Sequence, residues 1–447
     1  MRSSTTTAYH VSVLSNFARG FDKYRRLYSK GGIPESTYPN EFYVLSEEQL
    51  AIGVAKASDL LERLGLPGDR LIALRAQLPS HCLEPNRRTG LGQVWPSSDL
   101  PLSGVHLVSA DGGLSGELSF EDAMAKSLAL QADRFHAFAD IKPRSLSFLP
   151  IARGCQAACP FCFSEGSASA EQRQARPDWD NVRRWLDMSH LKGAERVVIT
   201  GGGEPTLLVW ADLVRLVRTC TTSFDKIVLI SNGVRLAART QADSAHALQE
   251  LHDAGLSVLA ISRHHPQERA NAELMKLETH TPALLQTYAL GRHALPNLRL
   301  RLICVLQRGG VETVADIDDY VAWAIAAGVE EVCFKELYVS TSDESVYHSR
   351  AVNDWSARNQ ISLATVHDWA NAKGLHVASR LPWGASVFGG RVDGRNISVA
   401  AYTEPSLFWE RSSGIARSWN VMADGTCLAS LEDRRSVIEP IQLTVAG

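Results

Sequence analysis

The sequence lacks several features that mark specialised classes of protein. Its 46 lysine and arginine residues are balanced by 49 aspartate and glutamate residues, so it has no basic excess of the kind that binds nucleic acid. No apolar run approaches the roughly 18 residues that a membrane span needs. The first residues, MRSSTTT, contain no apolar segment typical of a secretory signal. We therefore expect a soluble, cytoplasmic protein with neither nucleic acid nor membrane as a partner.

The length and the local patterns predict three regions. A chain of 447 residues is long enough for about three domains. Residues 1–140 show helical patterns at 47–64, 69–78 and 119–138 but no cluster of metal ligands and no glycine-rich phosphate loop. We interpret them as a mainly helical accessory domain whose role the sequence does not reveal.

From residue 145 to about 375, short apolar runs alternate with amphipathic helical stretches. The predicted strands are Leu146–Ile151, Arg196–Thr200, Lys226–Ser231, Ser257–Ser262, Leu298–Val305 and Glu331–Leu337. The predicted helices include Ala211–Thr219, Ala245–Ala254, Pro282–Gly291 and Val314–Ala327. Repeated βα units require parallel strands with helices outside them, and six units predict an α/β protein with a partial (β/α)6 TIM-like barrel. Residues 376–447 are expected to form a small α+β extension that covers the barrel, with strands near Ile397–Tyr402 and Trp419–Leu428.

Three of the eight cysteines lie on one loop, directly after the first predicted strand. Cys155, Cys159 and Cys162 have the spacing C-x3-C-x2-C, and the other five are scattered. Because thiols stay reduced in the cytoplasm, such a group indicates metal binding or catalysis rather than disulfides. Three thiolates can hold three corners of an iron–sulfur cube and leave the fourth iron open. An ordinary electron-transfer cluster or a structural zinc site would need a fourth ligand nearby; zinc and a chance grouping remain weaker alternatives.

Two motifs together resemble the radical S-adenosylmethionine (radical SAM) superfamily. The first is the cysteine loop, with an aromatic residue, Phe161, before its last cysteine. The second is the run Thr200-Gly201-Gly202-Gly203-Glu204-Pro205 after the second strand, which is similar to the family's GGEP motif. The resemblance covers residues 145–375. The fifth and sixth units look most like the branch of the molybdenum-cofactor cyclase and the peptide-modifying maturases.

The resemblance implies a role for each matching position. Cys155, Cys159 and Cys162 would ligate a [4Fe–4S] cluster whose open iron binds SAM, and Phe161 would lie against the adenine. Gly202, Gly203 and Glu204 would receive the methionyl ammonium. Further polar positions implied to face SAM are Ser231, Asn232, Ser262 and Arg301. For Arg301, a salt bridge inside the barrel is an equal alternative.

The C-terminal region leaves several interpretations open. It contains one cysteine, Cys427, so it has no auxiliary clusters of the four-cysteine kind. Some radical SAM epimerases return a hydrogen atom from one thiol, and Cys427 is a candidate for that role, with an inert thiol as the alternative. The aromatic and charged residues of 402–420 fit either a ligand pocket or a tail clamped onto the barrel by ion pairs. The pair His264-His265 fits either a substrate contact or a solvated strand end.

The resemblance implies an enzyme that reductively cleaves SAM to a 5′-deoxyadenosyl radical. That radical would take a hydrogen atom from a peptide or a small biosynthetic intermediate in a natural-product tailoring step, such as epimerisation, rearrangement or C–C bond formation. The electron would come from a flavodoxin- or ferredoxin-type reductant. The alternative is a non-catalytic iron–sulfur protein that carries electrons or has a structural cluster.

Overall fold

The structure is a computed structural model. It describes residues 136–163, 167–169, 176–237, 240–339, 345, 347, 351–405 and 407–440. The helices predicted at 47–64 and 69–78, and nearly all of the one at 119–138, lie outside the described residues. The accessory domain over 1–140 therefore stays a prediction.

The six predicted barrel strands are present and lie side by side in sequence order. A short strand, β1 (Lys142–Pro143), precedes them. The barrel strands are β2 (Leu146–Phe148), β3 (Val197–Ile199), β4 (Ile227–Ser231), β5 (Val258–Ser262), β6 (Arg299–Leu306) and β7 (Glu331–Glu336). Each pairs in parallel with the next, as the alternation of strands and helices requires.

Helices connect these strands, and their ends follow the local sequence. They are α1 (Trp179–Leu191), α2 (Trp210–Cys220), α3 (Val234–Ala237), α4 (Gln241–Asp253), α5 (Glu268–Met275), α6 (Thr281–Gly291), α7 (Val314–Ala326), α8 (Ala351–Asn359), α9 (Ala364–Ala372) and α10 (Leu407–Ser413). Helix α7 begins with a capping box, in which Thr313 and Asp316 each accept a backbone N–H of the other. No helix in the described part of the chain has the length and apolarity to cross a membrane.

The C-terminal region adds strands to the same sheet on both edges. Its strands are β8 (His376–Arg380), β9 (Ser386–Val392), β10 (Arg395–Tyr402), β11 (Ile415–Ala416), β12 (Trp419–Val421), β13 (Cys427–Leu428) and β14 (Val437–Ile438). Of these, β11 pairs with β1 in a separate two-stranded sheet, and the others join the large sheet. Strand β10 pairs in parallel with β7, and β12 pairs in parallel with β2. Eight parallel strands result, in the order β12-β2-β3-β4-β5-β6-β7-β10, with antiparallel strands outside them. The α/β barrel class is confirmed, and the extension continues the barrel's own sheet.

The two faces of the sheet differ sharply in burial. The face toward the helices is closed: Leu229, Leu259, Leu302 and Phe334 have no exposed surface. On the opposite face, alternate residues of β7 and β10 are partly exposed, as are Arg301 and Val305 of β6, whereas Ile303 between them is buried. We call the space on this side the lumen. Its lining includes Val198, Ile230, Ser262, Arg301, Val305, Cys333, Lys335, Ser398, Ala400 and Tyr402.

Contacts between distant strands show that the sheet curls around the lumen. Tyr402 on β10 lies close enough to Arg196, at the start of β3, to interact with its charge, although four strands separate them along the sheet. Glu404, just after β10, forms ion pairs with Lys335 (3.0 Å) and with Arg417 (2.9 Å), which leads into β12. The two edges of the parallel sheet are thus joined by charged side chains. Of the two interpretations of residues 402–420, the ion-paired clamp is the one observed.

Candidate functional site

The cysteine loop follows β2 and is held against the end of α5. The backbone N–H of Ala158 and the thiol of Cys159 both donate to the carbonyl oxygen of Met275, at 3.0 and 3.6 Å. The N–H of Cys162 donates to the carbonyl of Cys159, closing a turn. All three thiols are free; Cys155 and Cys162 are exposed and Cys159 is half-buried. They are therefore positioned as accessible ligands at the carboxyl ends of the strands, where barrel enzymes build their sites.

The electrostatics of the three thiols fit a metal cluster. Burial raises the pKa of Cys155 and of Cys159, the latter to about 12, and the neighbouring thiols raise both pKa values further. Three thiolates here would repel one another unless positive charge lies among them, which iron supplies. In the described part of the chain, no three His, Cys, Asp or Glu side chains meet at one point suited to a single metal ion. What fits an iron–sulfur cluster is the ligand set itself, three free thiols on one loop.

The glycine run after β3 lies directly against the cysteine loop. A Cβ on Gly202 would lie 2.6 Å from the carbonyl oxygens of Ile151 and Ser167, and a Cβ on Gly203 would lie 2.1 Å from that of Gly154. The N–H of Glu204 donates to the Gly154 oxygen at 2.8 Å. Only glycine permits this approach, because any side chain would collide with backbone. The two predicted motifs form one continuous surface.

Glu204 is a buried carboxylate that ties the ends of β3 and β4 together. Its Oε1 accepts hydrogen bonds from the N–H and hydroxyl of Thr206 (3.0 and 2.7 Å) and from the hydroxyl of Ser231 (2.6 Å). Its Oε2 accepts the N–H of Asn232 at 2.8 Å. Four donors use most of the acceptor capacity of a carboxylate. The structure thus gives Glu204 a positioning role, and its contact with the methionyl ammonium stays a prediction.

Asn232 connects this network to the cysteine loop. Its side-chain amide lies 3.5 Å from the sulfur of Cys155 and 3.2 Å from the side-chain oxygen of Gln156, and it donates to both. Its Oδ1 accepts the N–H of Val234 and caps α3. An N–H donor on a thiolate stabilises negative charge on the sulfur. Sequence reasoning identified Asn232 but assigned it to SAM rather than to the cysteine.

Phe161 lies in an aromatic group beside the cysteines. Its ring centroid is 4.9 Å from that of His264, in an edge-to-face arrangement, and 6.1 Å from that of Trp355. Phe163 packs edge-to-face against Tyr347 (4.6 Å) and in a tilted arrangement against Tyr338 (4.3 Å). Phe161 is buried and forms one aromatic wall of the site, and its contact with adenine stays a prediction. Tyr338, Tyr347 and Trp355 come from the segment after β7, which carries no motif of fixed spacing.

His264 is a buried, neutral side chain rather than a solvated one. Its Nδ1 accepts the N–H of Val305 at 3.0 Å, so the proton of the neutral ring is on Nε2. Burial, assisted by the neighbouring Arg263, lowers its pKa to about 3. Arg263 itself has no exposed surface and forms an ion pair with Glu268. Arg263 was not identified from the sequence, although a charged residue directly after an apolar strand could have indicated it.

Ser262 lies at the end of β5 on the lumen face and is partly exposed. Within the described part of the chain its hydroxyl makes no hydrogen bond to another side chain. It therefore remains available for the ribose contact that the resemblance implies, which stays a prediction.

Two predicted site residues lie elsewhere. Arg301 is near the amino end of β6, away from the cysteine loop, and forms an ion pair with Glu331 on β7 (2.5 Å). The salt-bridge alternative is the one observed. Cys427 is 1% exposed and packs in the core on the helix side of the sheet, where its strand pairs with β12. Because β13 turns its thiol away from the lumen, the hydrogen-donor hypothesis does not fit this position.

Comparison with known proteins gives the family. Residues 149–333 match the family model described as the radical SAM superfamily. Residues 149–333 form a radical SAM domain. The match spans the cysteine loop, the glycine run and strands β3 to β6, so the resemblance drawn from the two motifs is confirmed. Members of this family bind a [4Fe–4S] cluster and SAM.

Solved structures resemble the chain more distantly, and no curated protein matches it. SuiB of Streptococcus suis, solved with S-adenosylmethionine, is 16% identical with a TM-score of 0.42; the match covers 70% of this chain and 66% of SuiB. Coproporphyrinogen III oxidase of Escherichia coli is 13% identical with a TM-score of 0.35, covering 56% of each chain. A radical SAM methyltransferase of Sphaerobacter thermophilus is 16% identical with a TM-score of 0.33, covering 64% of this chain and 83% of that one. The chain spans less than two thirds of the first two, and the radical SAM assignment rests on the family model.

Proposed function

We propose that this chain is a radical SAM enzyme that cleaves SAM reductively and takes a hydrogen atom from a substrate held in the lumen. The observation that carries the proposal is the joined surface of three free thiols and a glycine cradle at the carboxyl ends of β2 and β3. Cys155, Cys159 and Cys162 would hold the cluster. When bound, the cluster and SAM supply a low-potential electron and a 5′-deoxyadenosyl radical.

The protein's own residues would bind and orient the cofactors and shield the reacting centre from water. Gly202 and Gly203 bring backbone within reach of a ligand beside the thiols, and Glu204 holds that turn to the end of β4 through Ser231 and Asn232. The buried aromatic group around Phe161 excludes water from one side. Exclusion of water matters because a primary carbon radical reacts with almost any nearby C–H bond. The lumen provides the space in which a substrate lies below the cofactor.

We also propose a class of substrate and a class of reductant. A partly exposed lumen lined by both apolar and charged side chains suits a peptide or a small biosynthetic intermediate. A natural-product tailoring step without an auxiliary cluster agrees with the single cysteine of the C-terminal region. A flavodoxin- or ferredoxin-type protein would supply the electron. The branch near the molybdenum-cofactor cyclase and the maturases stays a prediction.

The test is anaerobic reconstitution followed by reduction. The full chain, loaded with iron and sulfide and given dithionite and SAM, is expected to release 5′-deoxyadenosine and methionine, measured by chromatography. Cys159→Ala is expected to lose cluster absorbance and at least a hundredfold of the cleavage rate. Cys220→Ala, at a fully buried thiol on α2, is the matched control and keeps both. A cluster that forms without any cleavage of SAM would instead support the non-catalytic iron–sulfur alternative.

A further inference from the structure

Hydrogen bonds fix the orientation of the Asn232 side chain at the end of β4. Its Oδ1 accepts the backbone N–H of Val234 at 3.0 Å, so its NH2 group points away from that bond. Its own backbone N–H donates to the buried carboxylate of Glu204 at 2.8 Å, next to the glycine run. Asn232 is 5% exposed. The amide cannot turn over without breaking a bond to backbone, so it presents donors to the cysteine loop.

The NH2 group of Asn232 meets two acceptors on the cysteine loop. Its Nδ2 lies 3.5 Å from Sγ of Cys155 and 3.2 Å from Oε1 of Gln156. An asparagine amide carries two N–H donors, and both are used within the protein. Asn232 would therefore have to give up one of these bonds to make the contact with SAM that the resemblance implies.

The three sulfurs of the loop differ in the donors they accept. Sγ of Cys155 accepts the N–H of Ala157 at 3.4 Å in addition to the Asn232 amide. Among the side chains that the structure describes, no other donates to any sulfur of the loop. The negative charge of the thiolates would thus be stabilised unevenly, most at Cys155, by a donor that comes from a different strand.

A hydrogen bond to a ligand sulfur acts on the two redox states of a cluster unequally. Reduction adds one negative charge, part of which spreads onto the sulfurs, and an N–H donor stabilises that charge. Hydrogen bonds to the sulfurs are accordingly among the factors that set the reduction potential of an iron–sulfur cluster. A donor that is already fixed in place needs no reorganisation when the electron arrives. A fixed donor at Cys155 would favour the reduced cluster.

We propose that Asn232 is a positioning residue that raises the midpoint potential of the cluster by donating a hydrogen bond to its Cys155 ligand. The inference rests on the proposed function in one respect, that the three cysteines hold a cluster. The external reductant supplies the electron and the cluster accepts it; Asn232 exchanges neither an electron nor a proton. Through Glu204, the network that holds the turn after the glycine run also holds this donor.

The test is a redox titration of the reconstituted full chain without SAM, followed by electron paramagnetic resonance at pH 8. Asn232→Ser keeps an oxygen that can cap α3 but has no amide that reaches Cys155. Its ratio of reduced to oxidised cluster at a fixed potential is expected to fall at least threefold, about 28 mV for a one-electron couple. Asn232→Asp, which puts a negative charge in place of the donor, is expected to shift the ratio further in the same direction. Asn181→Ser is the matched control, because that amide donates to the carbonyl of Gly425, and it keeps the wild-type potential.

A second readout separates this role from a contact with SAM. The affinity for SAM, measured by calorimetry on the oxidised, reconstituted protein, is expected to stay within twofold of the wild type in Asn232→Ser. The midpoint potential is read only from clusters that have formed, so incomplete loading of a variant does not alter it. An unchanged potential in both variants overturns the inference. Weaker binding of SAM with an unchanged potential also overturns it and assigns Asn232 to SAM instead.

Failure of the proposed function would look different from failure of this inference. A wild type that cleaves SAM, with both variants at its own potential, overturns the role of Asn232 alone. A wild type that cleaves no SAM, with a potential that falls in both variants as expected, overturns the proposed function alone.

Discussion

The two faces of the same strands differ in how closely their side chains are packed. On β6, Leu300, Leu302 and Cys304 are buried against the helices, whereas Arg301 and Val305, one residue away, are partly open to the lumen. In a closed TIM barrel the inner face is filled by layers of side chains. Here it is left partly unfilled. The difference indicates that the helix side supplies most of the packing energy, whereas the inner face is packed only in part.

The largest expected effect is a difference in stability between two variants, each of which shortens one side chain on one of the two faces. Leu302→Ala removes a side chain with no exposed surface and is expected to lower the free energy of unfolding by about 3 to 4 kcal/mol. Val305→Ala, on the lumen face of the same strand, is expected to lower it by about 1 kcal/mol or less, because water already reaches that side chain. Urea unfolding of both variants measures the two values. Equal losses would show that the lumen is packed like a core.

Much of this architecture could be predicted, because short apolar runs alternate along the chain with amphipathic helical stretches. The strand predicted at Lys226–Ser231 is observed at Ile227–Ser231, and the helix predicted at Pro282–Gly291 begins one residue earlier. The cysteine loop can be identified from its spacing, and the glycine run from its resemblance to a family motif. What the sequence could not specify is how the last strands join the sheet. Pairing of β10 with β7 and of β12 with β2 depends on contacts between residues far apart in the chain.

The second prediction concerns His264, at the cofactor end of the lumen. Its pKa in the folded protein, about 3, is below the ordinary value of 6.5, so the unfolded chain binds more protons at acid pH. The contribution of neutral His264 to the free energy of unfolding is fully present above about pH 6.5 and is lost as the pH falls toward 3. At pH 4.5 the loss is expected to reach about 2 to 3 kcal/mol relative to pH 7.

His264→Gln isolates this contribution. Glutamine can still accept the N–H of Val305 but does not titrate, so the variant is expected to lose correspondingly less stability between pH 7 and pH 4.5. Chemical unfolding at both pH values measures the difference, with His293→Gln at an exposed histidine as the control. The same pH dependence in His264→Gln and wild type would mean that His264 is open to water, and the aromatic wall around Phe161 with it.

Arg301 and Cys427 lie away from the positions expected from the sequence, and both differences have one physical cause. Arg301 and Cys427 were assigned to the site by residue type and by position along the chain, without knowledge of which end or which face of a strand they occupy. Arg301 is on the expected face but at the amino end of β6. Cys427 is on the other face, because the turn between β12 and β13 places it opposite Val421. A tight turn sets that register, and parity along a single strand cannot reveal it.

The smallest expected effect tests the assignment of Cys427 to the packed face. Cys427→Ala removes a buried sulfur between core side chains and is expected to lower the free energy of unfolding by about 1 kcal/mol. Cleavage of SAM by the reconstituted variant is expected to match the wild type, because the thiol does not reach the lumen. Both are measured on one preparation, by urea unfolding and by release of 5′-deoxyadenosine. A variant with unchanged stability and altered cleavage would place the thiol on the lumen side and remove the distinction between the two faces at that edge of the sheet.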